Sequence, residues 1–136
     1  MKQVFFLFIL SLFIFTGCDY QGTYTFKVKN STQETITLKF LNKSWSGNVD
    51  INKGEVILEP LEEKKVRIVY APLNDAAHDC LTQHGMAYFE ELVFDTYVNG
   101  KKLEKQLWQA ENWVYRHQSK WSAEYTMTIT DEMIEE

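Results

Sequence analysis

Apolar and polar residues alternate with a period of two along much of this chain, beginning with Tyr24, Phe26 and Val28 set against Thr25, Lys27 and Lys29. Successive side chains of a strand point to opposite faces, so the alternation predicts a strand with one buried face. Asn30-Ser31-Thr32-Gln33 reads as a turn, and Ile36, Leu38 and Phe40 against Thr35, Thr37 and Lys39 predict a second strand, antiparallel to the first or crossing to a facing sheet. Val49 and Ile51 begin a shorter piece, Asn52-Lys53-Gly54 turns it, and Val56 to Leu58 continues it. After Pro60, the run Lys65 to Tyr70 places Val66, Ile68 and Tyr70 on one face. Tyr88 to Val98 is apolar on both faces, as in a central strand, and the last strand is expected at Glu124 to Thr130 with Tyr125, Met127 and Ile129 inward.

Asn99-Gly100 is a strong hairpin signal, because a type I′ turn needs positive φ at both central positions. It calls for a paired strand from Lys101 onward. Against this, Leu103, Leu107, Ala110, Val114, His117 and Trp121 recur at spacings of three and four, which is a helical stripe. The turn favours strand to about Leu107, followed by an irregular or short helical link through Trp121. Glu132, Glu135 and Glu136 form an acidic tail expected to be solvated and frayed.

The first residues follow another logic. Lys2 precedes an apolar run from Val4 to Phe15 broken only by Ser11, and the small pair Thr16-Gly17 leads into Cys18. A charged start, a short apolar core and a small-residue cleavage site describe a secretory signal, and the core falls short of the roughly 20 residues a spanning helix needs. Thr16-Gly17-Cys18 resembles a bacterial lipobox, although Phe15 stands where that family usually has Leu. The resemblance implies cleavage after residue 17 and acylation of Cys18 as the first mature residue. Several acyl chains would hold the protein on a membrane for good, each buried methylene contributing about 0.8 kcal/mol. Asp19 to Thr23 would then be a tether of at most about 16 to 18 Å. Asp19 resembles both an inner-membrane retention mark of enteric bacteria and a surface-export mark of Bacteroidota, so membrane and face stay open.

The expected organisation is therefore a signal peptide at 1–17, an anchor and tether at 18–23, one domain at 24–131 and the tail at 132–136. Loss of Lys2 with the signal leaves 13 basic against 19 acidic residues, a net charge of −6 with His neutral. That surface repels nucleic acid and anionic lipid, so no nucleic-acid partner is expected. With Cys18 acylated, Cys80 is the remaining thiol and no disulfide can close within the chain.

Val28, Asn30, Ser31, Ile36, Gly54, Leu58, Pro60, Val66, Ile68, Tyr70 and Pro72 resemble the strand-and-turn pattern of immunoglobulin-like envelope and scaffold domains. Together with the alternation they imply an all-β, antiparallel, immunoglobulin-like β-sandwich of about seven strands after a cleaved signal. The closing stretch Tyr125 to Glu132, with Asn112-Trp113 and the lipobox, resembles small lipoproteins of Bacteroidota and implies a cell-envelope address, outer membrane favoured.

Two groups of residues carry candidate chemistry. In the loop 72–85, Asp75, His78, Cys80 and His84 combine carboxylate, imidazole and thiol, a set able to hold Zn²⁺ or to pair a Cys nucleophile with a His base, although His-x-Cys-x-x-x-His is not a standard zinc spacing. The bland alternative is a buried Cys80 with His residues as loop polar groups. Trp45, Trp108, Trp113, Tyr115 and Trp121 suit either stacking on a glycan or protein partner, or filling the core. The pairs Glu62-Glu63 and Glu90-Glu91 point to opposite faces if in strands and cannot serve as a glycosidase dyad. No phosphate-binding Gly loop or serine elbow is present. The expectation is a lipid-anchored, non-catalytic envelope protein, without cofactor, that contacts the membrane through Cys18 and a protein or glycan partner through its surface. The alternative is a Cys/His-centred or metal-assisted hydrolase built on the 72–85 loop.

Overall fold

The computed structural model describes residues 21–41, 54–72, 92–119 and 122–135. Among the described residues, eight strands form two four-stranded sheets packed face to face, an all-β sandwich. One sheet holds β1 (Gln21–Asn30), β4 (Glu63–Pro72), β7 (Trp113–Ser119) and β8 (Ser122–Ile129) in the order β4-β1-β8-β7. The other holds β2 (Ile36–Phe40), β3 (Glu55–Leu58), β5 (Phe94–Val98) and the two-residue β6 (Lys101–Lys102) in the order β3-β2-β5-β6. The second strand thus crosses to the facing sheet.

The alternation works as read at β1, β2 and β8. Tyr24, Phe26, Val28, Ile36, Leu38, Tyr125, Met127 and Ile129 are all fully buried between the sheets. Phe26 stacks on Tyr125 with centroids 5.2 Å apart and meets the edge of Trp113 at 5.8 Å. Such pairs add to the area they remove from water, which is the main force holding two sheets together. Asn99 and Gly100 have φ of 48° and 83°, the two positive values a type I′ turn requires.

Five expectations need correction. The sheets are not purely antiparallel: β1 runs parallel to β8 from Thr23↔Ser122 to Asn30↔Ile129, while its other neighbour β4 is antiparallel. Val66, Ile68 and Tyr70 do not share a face. A bulge opposite Phe26 and Lys27 inserts Val66 as an extra residue between Lys65 and Arg67, so Val66 and Arg67 are both buried and alternation resumes one residue out of phase. Val69 then points inward and Tyr70 is 53% exposed.

The strand after Asn99-Gly100 stops at Lys102, and the expected irregular or helical link through Trp121 contains a strand, β7, preceded by a single 3-10 turn at Ala110–Asn112. Leu103 and Leu107 follow the end of β6 and are buried in the core, at 6% and 0% exposure. Val114, one position of the apparent helical stripe, is 70% exposed on the outer face of β7. Pairing with β8 outweighs the stripe: a helix satisfies its own backbone groups and would leave the edge of β8 without partners, whereas β7 supplies them.

At the N-terminal side, Gln21, Gly22 and Thr23 belong to β1 instead of a tether, paired with Pro72, Ala71 and Tyr70. At the other end, Asp131–Ile134 form a one-turn helix α1, with Met133 and Ile134 packed against the core, in place of a frayed tail.

Candidate functional site

The topology sorts the chain into two poles. Asn30, Ile36, Leu58, Glu63, Val98, Lys101 and Ile129 end or begin their strands at one pole. Gln21, Phe40, Glu55, Pro72, Phe94, Ser119 and Ser122 do so at the other, where β1 enters.

The far pole is knitted by one buried amide. Asn30 Nδ2 donates to the carbonyls of Glu34 at 2.7 Å, Glu59 at 3.0 Å and Leu58 at 3.2 Å, while Oδ1 accepts from Thr32 N at 3.0 Å and Thr32 Oγ1 at 2.8 Å. The turn after β1 and the turn after β3 are tied together by a side chain with no exposure to solvent. Asn99 adds a second tie, accepting from Thr35 N at 3.1 Å and donating to Glu34 Oε2. Glu62 accepts from the backbone N–H of Glu59 and pairs with Lys64, which together hold its carboxyl below the usual range.

The outer face of the first sheet carries a titratable cluster. Lys27 Nζ lies 2.6 Å from Glu124 Oε2 and 3.4 Å from Glu63 Oε1, and Gln118 Nε2 donates to Glu124 Oε2 at 2.9 Å. The group spans all four strands of the sheet. The hydrogen bond to Glu124, opposed by partial burial, raises the Lys27 pKa. Burial pushes the Glu124 carboxyl up, but the hydrogen bond and charge of Lys27, with help from Thr126 and Gln118, outweigh it and leave the pKa lowered. A carboxylate held ionised by a paired ammonium braces a sheet and is poorly suited to deliver a proton. On the second sheet, Asp95 pairs with Lys102 at 2.9 Å and raises its pKa, and Lys39 sits 4.5 Å over the Tyr97 ring.

Two shallow clefts border β6. One, of about 190 Å³, is lined by Val98, Lys101, Lys102, Leu103 and Ile134. The other, of about 150 Å³, lies along Phe94 to Thr96 and the segment 102–106, with charges of both signs. The buried Thr96 hydroxyl has no hydrogen-bond partner among the described residues. Neither cleft gathers convergent groups for a reaction.

The aromatic candidates separate. Trp113 is 5% exposed in the core, its Nε1 donating to Trp108 O at 3.0 Å. Tyr115 is half-buried on Tyr125, centroids 5.3 Å apart, and Trp108 is half-buried against the same core. Among the described residues, then, these three rings build the interior and its rim more than an exposed stacking platform. Trp45 and Trp121 lie outside the described residues, as do Cys18, Asp75, His78, Cys80 and His84. Among the described residues no group of three or more His, Cys, Asp or Glu could hold a metal ion, and no helix is long and apolar enough to cross a membrane.

The Lys27, Glu63 and Glu124 cluster is absent from the sequence reading because its members are joined by pairing between distant strands, for which no local spacing exists. Asn30 had a local signal, an Asn-Ser-Thr run ending a strand. Comparison of the chain with family models, with curated proteins and with solved structures gave no match.

Proposed function

We propose that this chain is a lipid-anchored cell-envelope protein that acts by binding rather than by catalysis, held to its membrane through acyl chains on Cys18. The observation that carries the reading is the start of β1. Three residues after Cys18 the chain is already in the sheet, with Gln21 opposite Pro72. An anchor at Cys18 is thus continuous with an inner strand of the sandwich, and pulling on it loads β1, which has neighbours on both sides. The apolar run, the small pair Thr16-Gly17 and the net negative mature surface support the same reading. The ion-paired state of Glu124 favours bracing over proton transfer.

The test is mass spectrometry of the N-terminal peptide from full-length protein expressed in a lipoprotein-processing bacterium, together with membrane fractionation of the wild type and Cys18→Ser. The expected result is an acylated peptide beginning at Cys18, with the wild type in the membrane fraction and the variant released or left unprocessed. A wild-type chain with an unmodified Cys18 would overturn the proposal.

A further inference from the structure

At the far pole, Leu61 stands in a backbone conformation that disfavours it. Glu62 N donates to Glu59 O at 3.1 Å across Pro60 and Leu61, and Leu61 has φ of 64°. A type II turn takes Pro at its second position and asks for Gly or Asn at its third, so a leucine there strains the turn. The strain persists because the turn is fixed from outside: Asn30 N donates to Glu62 O at 2.8 Å, and Asn30 Nδ2 to Glu59 O at 3.0 Å. The side chain so presented is 63% exposed. The other large apolar side chains exposed among the described residues have no such strain. Ile57, Tyr70 and Val114 face outward from β3, β4 and β7, and Leu41 directly follows β2, all without a positive φ. Leu61 is thus an apolar knob held out by a rigid turn and flanked by Glu59 and Glu62.

The same pole holds a matching recess. The cleft of about 190 Å³ beside the β5–β6 turn has an apolar wall of Val98, Leu103 and Ile134 and a cationic rim of Lys101 and Lys102. Cutting one large apolar side chain from a protein core leaves about 150 Å³, so the cleft has room for an isobutyl group. Leu61 cannot fill its own cleft, because β3 and β6 are opposite edges of one sheet, about 14 Å apart at three strand spacings. We infer that Leu61 of one copy of this chain enters the cleft of a second copy, and reciprocally. With knob and cleft at opposite edges of one pole, a half-turn about an axis across that pole sets each knob on the other copy's cleft and closes the pair. Glu59 of each copy then lies beside Lys101 of the other. Glu62 is already paired with Lys64 and Lys102 with Asp95, so the rim charges orient the contact more than they tighten it. A turn fixed in advance loses little freedom on binding. The contact leaves the pole where β1 enters outside the interface, and nothing in it depends on the Cys18 anchor.

Sedimentation equilibrium of the full-length chain, purified in mild detergent under reducing conditions, tests the pairing. It is run beside Leu61→Gly, Glu59→Lys, Lys101→Glu and the variant carrying both charge reversals. The expected result is a monomer–dimer equilibrium that Leu61→Gly weakens by about tenfold or more, as loss of a buried leucine does. The thermal midpoint of Leu61→Gly should not fall, because glycine suits that φ. Each charge reversal alone should weaken the dimer by about threefold, and the two together should restore it. Should Leu61→Gly lose its fold, that exchange of charges decides. A monomer at every concentration, growth beyond a dimer, a folded Leu61→Gly that associates as tightly as the wild type, or no recovery in the double variant would overturn the pairing.

Discussion

Lys27 and Glu124 meet at 2.6 Å across the parallel junction between β1 and β8, and Glu124 is 8% exposed although it faces outward from the sandwich. Gln118 and Thr126 crowd the same carboxylate. Lys27→Met should leave Glu124 with its charge half-desolvated and uncompensated, costing about 2 kcal/mol. Glu63→Ala, at the longer and more exposed contact, should cost less than about 0.5 kcal/mol. Urea unfolding of the two variants and of the Lys27→Met, Glu124→Gln pair checks this, with the double variant less than additive.

The same pair sets a pH dependence. Glu124 has its folded pKa lowered from 4.5, so its contribution is present above that value and is lost as pH falls through the depressed folded pKa. Lys27 has its folded pKa raised from 10.5, so its contribution is present below that value and is lost as pH rises through the raised one. The bond therefore stabilises across the whole neutral range. Thermal unfolding followed against pH should show a shallower acid decline for Glu124→Gln than for the wild type.

Asn30 supplies donors to three carbonyls, and its removal leaves buried acceptors without partners. Asn30→Ala should lose about 2 to 3 kcal/mol. Asn30→Asp should lose more at neutral pH, because a carboxylate oxygen would face the carbonyls of Glu34, Leu58 and Glu59, and should recover in part when the carboxyl is protonated. Chemical unfolding at two pH values separates the variants.

At Gly100 a Cβ would meet nothing within 4 Å, so the cost of Gly100→Ala comes from φ of +83° alone, about 1 kcal/mol. Gly100→Asn should cost less, since Asn tolerates that region. A larger loss for Gly100→Ala would mean the turn contributes through contacts that its backbone angles do not account for.

Trp113 and Trp108 test the interior role of the aromatic residues. Trp113→Ala empties a site between Phe26 and Met127 and should destabilise by about 3 to 5 kcal/mol. Trp108→Ala, half-buried, should cost less than that. Differential scanning calorimetry reads both.

Local pattern carried the reading where one strand face meets the core without interruption. Tyr24 to Val28, Ile36 to Phe40 and Tyr125 to Ile129 each show their burial in their spacing, and Asn99-Gly100 shows its turn in its backbone demands. β7 was hidden because it lies at the end of the β4-β1-β8-β7 order with a mostly polar outer face, leaving only Trp113 and Tyr115 as inward apolar marks, while Val114 and His117 in the same segment extend the helical spacing of Leu103, Leu107 and Ala110. The bulge at Val66 was hidden because the run Val66-Arg67-Ile68-Val69-Tyr70 accepts either phase; Phe26 and Lys27 across the strand choose one. Of the site residues, those in the loop 72–85, with Trp45 and Trp121, lie outside the described part, and the brace at Lys27 has no trace in spacing at all.

By itself, then, the sequence determined the inward faces of β1, β2 and β8, the type I′ turn and the all-β class, because each depends on residues adjacent or two apart. Only the tertiary structure decided that β1 lies parallel to β8, that Val66 bulges, that Leu103 and Leu107 enter the core beyond β6, and that Lys27 finds Glu124. Those choices depend on which distant strands can satisfy each other's backbone groups while burying their apolar faces together, and no local spacing encodes that.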